Sequence, residues 1–232
     1  MNAHILQRDF ARALEVAPYA DDSMVGALTS SAVARGYSIL QAHKLGPTDR
    51  LHAKVLLRYF DPPFFGRVLD AGCGVGAVAE HMSALRPDLK FVLLNVSAAQ
   101  LALAPEGLEK IHADFHDIPA EDGEFDAAMF CYSLGHGLLD RCMAEAARVL
   151  RPGGALFIYD IAADDQARVI EALGYKPHHP AHVLDAAGRH GFIGSVIENL
   201  SSDVSGVIAL CGREAYDAGF SGTRPVIYRF VR

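Results

Sequence analysis

Apolar and polar residues follow different patterns on the two sides of Arg67. Before it, LHAKVLLRYF has the apolar spacing of a helix, with a start signal at Pro47-Thr48-Asp49 and a stop at Asp61-Pro62-Pro63. After it, short apolar runs of strand length alternate with helical patterns. This alternation predicts an α/β protein with a mostly parallel, doubly wound sheet, whose ligands lie at the carboxyl ends of the strands.

The pattern after Arg67 predicts about seven strands with helices between them. The strand-like runs are RVLDA, FVLLNV, IHADF, FDAAMFCY, ALFIYD, FIGSVIENL and PVIYRFV. The helical stretches are VGAVAEHMSAL, residues 98–103, LLDRCMAEAARVL, residues near 164–173 and AHVLDAAGRHG. We therefore expect two parts: an N-terminal helical segment, residues 1–60, that acts as a lid and acceptor wall, and a core of residues 61–232.

Composition and charge narrow the class of protein. With 51% apolar and 21% charged residues, a chain of 232 residues can fill the core of one large globular domain. The net charge of −7 argues against nucleic acid as a partner, because phosphate binding needs a basic surface. The apolar runs are too short for a membrane span and no signal-peptide pattern is seen, so we expect a cytoplasmic protein. The cysteines lack CxxC spacing, which indicates reduced thiols: Cys73, Cys131, Cys142 and Cys211.

A glycine turn follows the first strand in VLDAGCGVG. Asp70 ends the strand, and Gly72, Gly74 and Gly76 let the backbone turn tightly and approach a ligand. The third glycine comes one residue too early for the dinucleotide fingerprint GxGxxG. An acidic residue before such a turn suits a ligand with no pyrophosphate and a cationic amino-acid end. A generic turn between strand and helix is the alternative.

Four segments in the same order resemble class I S-adenosylmethionine-dependent methyltransferases: VLDAGCGVG, NVSAAQL, HADFHDIPAEDGEFDAAMF and AARVLRPGGALFIYD. The resemblance covers roughly residues 50–200. It implies a Rossmann-like sheet whose last strand is antiparallel, and S-adenosylmethionine as the cofactor. The cofactor-binding residues that it implies are Asp70, Gly72, Cys73, Gly74, Asn95, Val96, Ser97, Gln100, Asp114, Phe115 and Cys131.

Asn95 is the departure from that family's pattern, where an acid usually accepts hydrogen bonds from both ribose hydroxyls. An amide offers one acceptor oxygen and an NH₂ donor. Ser97 and Gln100, in S-x-x-Q spacing, can present polar atoms to the same sugar, and this variant resembles a subset that includes C-methyltransferases. Ser97 also suits the cap of a helix at 98–103. On this view Asn95→Asp leaves cofactor affinity unchanged or raises it.

The acceptor side is predicted to lie in the N-terminal segment. Residues 1–66 carry seven basic and six acidic residues, a net +1, so the remainder carries −8. Arg50, Lys54 and Arg58 recur every four residues as a basic stripe, with Arg35, Lys44 and the pocket candidate Tyr37 upstream. Such a stripe can bind a phosphate or diphosphate, and Mg²⁺ would enter only with that substrate. A solvated helix face is the alternative.

Two residues after the fourth strand are catalytic candidates, in CYSLGHG. By the resemblance, Cys131, Tyr132 and Ser133 lie beneath the sulfonium. His136 titrates near neutrality and is a candidate base, and Tyr132 a candidate hydrogen-bond partner or cation stabiliser. A structural histidine is the alternative. His178 and His182 are four apart, but two prolines argue against one helix there and against a metal site.

Together, these residues predict a methyltransferase that acts on a small molecule. C-methylation of an isoprenoid, such as isopentenyl or geranyl diphosphate, is favoured by the S-x-x-Q variant and the basic stripe. The alternatives are O- or N-methylation of a phenolic, quinone or amine, a protein that binds the cofactor without catalysis, and an NAD-dependent dehydrogenase, against which the glycine spacing counts. The oligomeric state stays open, a homodimer included.

Overall fold

The computed structural model describes residues 46–60, 66–167, 175–197 and 223–232. Seven strands lie in these ranges: β1 (Gly66–Ala71), β2 (Leu89–Asn95), β3 (Glu109–His112), β4 (Phe125–Cys131), β5 (Leu150–Ala163), β6 (Ile193–Ile197) and β7 (Thr223–Val231). The α-helices in them with assigned bounds are α1 (Gly46–Tyr59), α2 (Ala77–Leu85), α3 (Ala98–Leu101), α4 (Leu139–Val149) and α5 (Pro180–Arg189). A single 3-10 turn, Leu134–His136, follows β4.

The strands form one sheet in the order β3-β2-β1-β4-β5-β7-β6. Strands β1 to β5 pair in parallel, and β7 runs antiparallel to both β5 and β6. The doubly wound sheet and its antiparallel last strand are thus confirmed. The chain order reverses between β1 and β4, and a ligand site is expected outside the carboxyl ends of strands at such a switch point.

Apolar side chains cover both faces of the sheet, because its central strands are buried on both sides. One cluster joins α1 and α2 to one face and includes Leu56, Phe60, Met82 and Phe157. A second cluster joins α4 and α5 to the other face. Helix α1 therefore packs onto the core, beside α2, and the division at residue 60 stays a prediction.

Several predicted boundaries differ from the structure. Strand β3 ends at His112, because the following Asp114 turns back to hydrogen-bond within the loop. Helix α3 ends at Leu101, and most of the helix expected near 164–173 lies outside the described residues. In the part of the chain that is described, no helix has the length and apolar character needed to cross a membrane.

Candidate functional site

The glycine turn after β1 depends on backbone angles that L side chains rarely adopt. The φ angles of Gly72, Gly74 and Gly76 are +78°, +59° and +74°. A Cβ at Gly72 would lie 2.6 Å from the Cβ of Ser133. The Ser133 hydroxyl donates to the carbonyl of Ala71 at 2.6 Å, which ties the end of β1 to the chain after β4. The turn is thus closely packed against Ser133, and only glycine fits at position 72.

Asp70 is a buried carboxylate at the end of β1. It is 2% exposed, and its Oδ1 has no hydrogen-bond partner among the described residues. Burial raises its pKa to about 7. An unpaired buried carboxylate is costly and is stabilised by a cation. The α-ammonium group of S-adenosylmethionine is such a cation, so Asp70 and the turn beside it fit this cofactor.

Asn95 is held by protein groups on all sides. Its Nδ2 donates to the carbonyl of Gly74 at 2.9 Å and to Oε1 of Gln100 at 2.7 Å, and its Oδ1 accepts the backbone N–H of Ser97 at 3.1 Å. The Ser97 hydroxyl accepts the backbone N–H of Gln100, which makes it the cap of α3. The amide therefore links the glycine turn to α3, a task that needs a donor.

This network reverses the expectation for Asn95→Asp. A carboxylate cannot donate, so it would face the Gly74 carbonyl with a repulsive oxygen, while Gln100 can rotate its amide to compensate. Loss of this buried donor costs about 1–3 kcal/mol. We expect cofactor affinity to fall about tenfold, measured by calorimetry at pH 8. Gln100→Glu, which removes a neighbouring amide at the edge of the network, is the control and should have the smaller effect. Equal or tighter binding by Asn95→Asp would contradict the assignment.

The other predicted cofactor residues lie around the same strand ends. The Cys73 thiol lies within the turn and donates to the Gly74 carbonyl, and burial raises its pKa well above the usual value. Val96 follows β2, and its carbonyl contacts the His112 ring at 3.0 Å. Cys131 is the last residue of β4. Their contacts with the cofactor stay a prediction.

Asp114 and Phe115 form a loop that His116 fastens to the chain after β4. The His116 Nε2 accepts the backbone N–H of Leu138 at 2.8 Å, so in the neutral ring the proton is on Nδ1, which lies 2.7 Å from the Asp114 carboxylate. Burial opposes ionisation of Asp114, but the hydrogen bonds from His116 outweigh it and its pKa lies below the usual value. Phe115 packs edge-on against Phe130. Both ring nitrogens of His116 are thus used structurally.

Three rings meet at the carboxyl ends of β4 and β5: His52, Tyr132 and Tyr159. The ring centroids are 4.9 Å apart for His52 and Tyr132, 5.3 Å for His52 and Tyr159, and 5.0 Å for the two tyrosines. Burial lowers the pKa of His52 to about 4 and raises that of Tyr132 well above the usual value. His52 and Tyr132 are therefore uncharged at pH 7. We call the three rings the ring cluster.

The backbone of Tyr132 is strained. Its φ is 52°, and it is the one non-glycine residue with positive φ in the described ranges. Such strain for a bulky residue costs of order 1–2 kcal/mol and is typical of functional sites. Here it aims the ring at His52 on α1 instead of along the strand. Sequence reasoning found Tyr132 but missed His52 and Tyr159. His52 could have been found from the sequence, because it is a polar residue on the apolar side of the helix, four positions before the buried Leu56.

His136 lies in the 3-10 turn after β4. Its Nδ1 is buried with no partner in the described part of the chain. Its ring packs edge-on against Tyr175, with centroids 4.8 Å apart. Burial lowers its pKa to about 4, so it is neutral at pH 7 and able to accept a proton.

The basic stripe does not share the side of α1 that faces the ring cluster. Arg50, Lys54 and Arg58 are exposed. At 100° per residue, Lys54 lies about 200° around the helix axis from His52. The other predicted acceptor residues, Arg35, Tyr37 and Lys44, lie outside the described residues.

The histidines near residue 180 belong to a loop and a helix start. His179 caps α5, whose first residue is Pro180, so His178 and His182 do not share one helix face. Burial lowers the pKa of His178 to about 4. Among the described residues, no group of three or more His, Cys, Asp or Glu could hold a metal ion.

Several known proteins with similar sequences are methyltransferases. Residues 69–158 match the family model described as a methyltransferase domain. The sterol 4-C-methyltransferase strm-1 of Caenorhabditis elegans is 35% identical over 128 residues, 52% of this chain and 38% of that protein. The O-methyltransferase cnsE of Penicillium expansum is 34% identical over 128 residues, 50% of this chain and 45% of that protein. The chain spans about half, or less, of the length of the curated relatives that it matches.

A solved structure of similar fold covers 98% of the chain. It is the geranyl diphosphate C-methyltransferase from Streptomyces coelicolor A3(2) in complex with Mg²⁺, geranyl diphosphate and S-adenosyl-L-homocysteine, with a TM-score of 0.68, 17% identity and 98% of both chains covered. The matched family segment begins in β1 and runs through the glycine turn to β5. Residues 69–158 therefore match a methyltransferase domain, and the chain shares its fold with a geranyl diphosphate methyltransferase solved in complex with S-adenosylmethionine.

Proposed function

We propose that this protein transfers the methyl group of S-adenosylmethionine to an alkene carbon of a small isoprenoid acceptor, such as geranyl or isopentenyl diphosphate. The cofactor supplies an electrophilic methyl group on a positively charged sulfur. The alkene forms the new carbon–carbon bond as the sulfur–methyl bond breaks and S-adenosylhomocysteine leaves. The acceptor becomes a carbocation, which then loses a proton to a base. The chain's own residues must align the acceptor, exclude water, stabilise this cation and take the proton.

The ring cluster is the observation that carries this proposal. Aromatic faces attract cations, and the attraction is stronger where water is excluded. Burial keeps His52 neutral, so it adds no positive charge that would repel a carbocation, and Tyr132 also stays uncharged. The cluster lies at the carboxyl end of β4, next to the switch point where this fold binds its ligands.

The low pKa of His136 favours carbon over oxygen as the methylated atom. A phenol has a pKa of about 10, so its proton would move about six pK units uphill to a base of pKa about 4, at about 1.4 kcal/mol per unit. A carbocation releases its proton to a far weaker base than this. His136, with its unpartnered Nδ1, is thus suited to the second step of C-methylation.

Support for the diphosphate end of the acceptor is indirect. The structural neighbour from Streptomyces coelicolor was solved with geranyl diphosphate and Mg²⁺. In this chain the basic stripe lies on the outer side of α1, away from the ring cluster. A diphosphate on the stripe would therefore require the acceptor to reach around α1, and the predicted cations Arg35 and Lys44 stay the alternative contacts.

A labelled methyl group tests the proposal. The purified protein would be incubated with methyl-labelled S-adenosylmethionine and isopentenyl, dimethylallyl or geranyl diphosphate, with and without Mg²⁺. We expect label in an extracted alkene product. The triple variant Arg50→Ala, Lys54→Ala, Arg58→Ala tests the stripe: unchanged turnover would assign it to the solvated surface. Cofactor binding with no labelled product from any prenyl diphosphate would overturn the isoprenoid proposal.

An amine is the second candidate acceptor. Unlike a phenol, a neutral amine is nucleophilic before it loses a proton, so a base of low pKa is no obstacle. The ring cluster also suits the cationic amine product. Labelled amines as the products, in place of alkenes, would select this alternative. A protein that binds the cofactor without catalysis would give neither a labelled amine nor a labelled alkene.

A further inference from the structure

Tyr175 lies between the 3-10 turn that carries His136 and strand β5. It is 6% exposed. Its hydroxyl accepts the backbone N–H of Gly135 at 2.9 Å and contacts both carboxylate oxygens of Asp160, with 2.5 Å to Oδ2. A backbone N–H can only donate, so the single phenol proton must be donated to Asp160. The hydrogen-bond chain therefore has a fixed direction, from Gly135 through Tyr175 to Asp160.

Asp160 is a buried acceptor on which several donors converge. It is 5% exposed and lies near the carboxyl end of β5. Besides the Tyr175 hydroxyl, it accepts the backbone N–H of Ile161 at 2.7 Å and interacts with the backbone groups of Leu134 and Gly135. A carboxylate with acceptor oxygens only is the group that such a set of donors requires.

Tyr175 and Lys176 hold the turn from both sides. Gly135 donates its N–H to Tyr175, and its carbonyl accepts the N–H of Lys176 at 3.2 Å. A Cβ at Gly135 would lie 2.3 Å from two ring carbons of Tyr175. On the other side of this contact, the His136 ring packs edge-on against the same tyrosine, at 89° between ring planes. The position of the His136 ring thus depends directly on Tyr175.

We propose that Tyr175 and Asp160 are positioning residues, which hold the turn Leu134–His136 so that the His136 imidazole stays buried beside the end of β4. Neither residue is assigned a contact with the cofactor or the acceptor. The proposal rests on the proposed role of His136 as the base for its effect on turnover. Its structural part, the burial of the ring, does not depend on the acceptor.

Titration of His136 tests the structural part without any acceptor. NMR of the histidine C–H resonances, assigned with His136→Ala, would follow ring protonation in the full-length protein. In the wild type we expect a midpoint near 4. In Tyr175→Phe, Gly135 loses its acceptor and Asp160 a donor, so the turn loosens, the ring gains water and the midpoint rises by at least one pH unit. Asp160→Asn replaces an acceptor oxygen by an NH₂ donor that faces other donors, so it should also raise the His136 midpoint.

Tyr228→Phe on β7 is the matched control, since it also removes a buried tyrosine hydroxyl. It should leave the His136 midpoint unchanged. The dissociation constant for S-adenosylmethionine should stay within about twofold of the wild type in all variants. A His136 titration that is the same in Tyr175→Phe, Asp160→Asn and wild type would overturn the positioning proposal.

Turnover with geranyl diphosphate separates the positioning role of Tyr175 from the proposed role of His136 as the base. We expect kcat to fall at least tenfold in His136→Ala and in Tyr175→Phe with little change in KM. Because Tyr175 acts through His136, the double variant should be no slower than His136→Ala alone. Additive losses would overturn the positioning role and leave the base in place. An unchanged kcat in His136→Ala, with the NMR shift present, would overturn the base and keep the positioning of the ring.

Discussion

Binding of S-adenosylmethionine should tighten about 50-fold between pH 5 and pH 7 and then level off. Asp70 has a pKa of about 7 because it is buried, and its Oδ1 has no partner among the described residues. With Asp70 as its partner, the ammonium group of the cofactor would pair with the ionised carboxylate only. Below the pKa a proton must first leave, so affinity falls about tenfold for each pH unit. An α-amino group keeps its charge throughout this range, since its own pKa lies near 8.

Isothermal titration calorimetry from pH 5 to pH 7.5 measures this dependence, and buffers of different ionisation enthalpy report the proton released. Asp70→Asn should bind more weakly at pH 7 and lose most of the slope. Asp160→Asn is the matched control. The Asp160 pKa is also raised to about 7 by burial, against its hydrogen bonds, but its carboxylate is already occupied by protein donors, so the slope should remain. A wild-type affinity that is flat over this range would exclude Asp70 as the ammonium partner.

Asp70 and Asp160 show how the same residue type serves two purposes. Both are buried in one sheet, Asp70 on β1 and Asp160 on β5. Asp160 has donors from three segments of the chain, and it stabilises a turn. Asp70 leaves an oxygen unsatisfied, which a purely structural residue would rarely do. The distinction depends on neighbours that are distant in sequence.

The fold was predictable because its signals are local. Alternating apolar runs, the glycine turn after Asp70 and the helix that follows His179 each depend on a few adjacent residues. The antiparallel last strand followed from the family resemblance. Boundaries were less accurate where a side chain redirects the backbone, as Asp114 does after β3.

The site was predictable only in part, because its contacts join distant segments. His52 and Tyr159 are more than 100 residues apart, and His52 belongs to none of the segments that resemble the family. Asn95 was recognised as unusual, but its donors point to Gly74 and Gln100, which only the folded turn brings within reach. The three cations of the basic stripe do lie on one side of α1. The direction of the stripe is set by the apolar side of α1, which turns the stripe outward.

Gly72→Ala should be the most damaging single methyl group that can be added to the cofactor turn. The φ of +78° costs a non-glycine residue about 1–2 kcal/mol. The added Cβ would also lie 2.6 Å from the Ser133 Cβ and 3.3 Å from a ring carbon of Phe115, and such overpacking costs typically about 1–3 kcal/mol more. We expect the free energy of unfolding to fall by about 2–5 kcal/mol, and cofactor affinity to fall at least 100-fold because the turn is displaced.

Gly153→Ala separates the two causes. Gly153 has nearly the same φ, +76°, but a Cβ there would meet nothing within 4 Å. It lies near the start of β5, whereas the site is at the carboxyl ends of the strands. This variant should therefore lose only about 1–2 kcal/mol and keep its cofactor affinity. Urea denaturation and calorimetry measure both quantities. If the two variants lose equal stability and affinity, the backbone angle alone explains Gly72, and the contact with Ser133 has no part in shaping the turn.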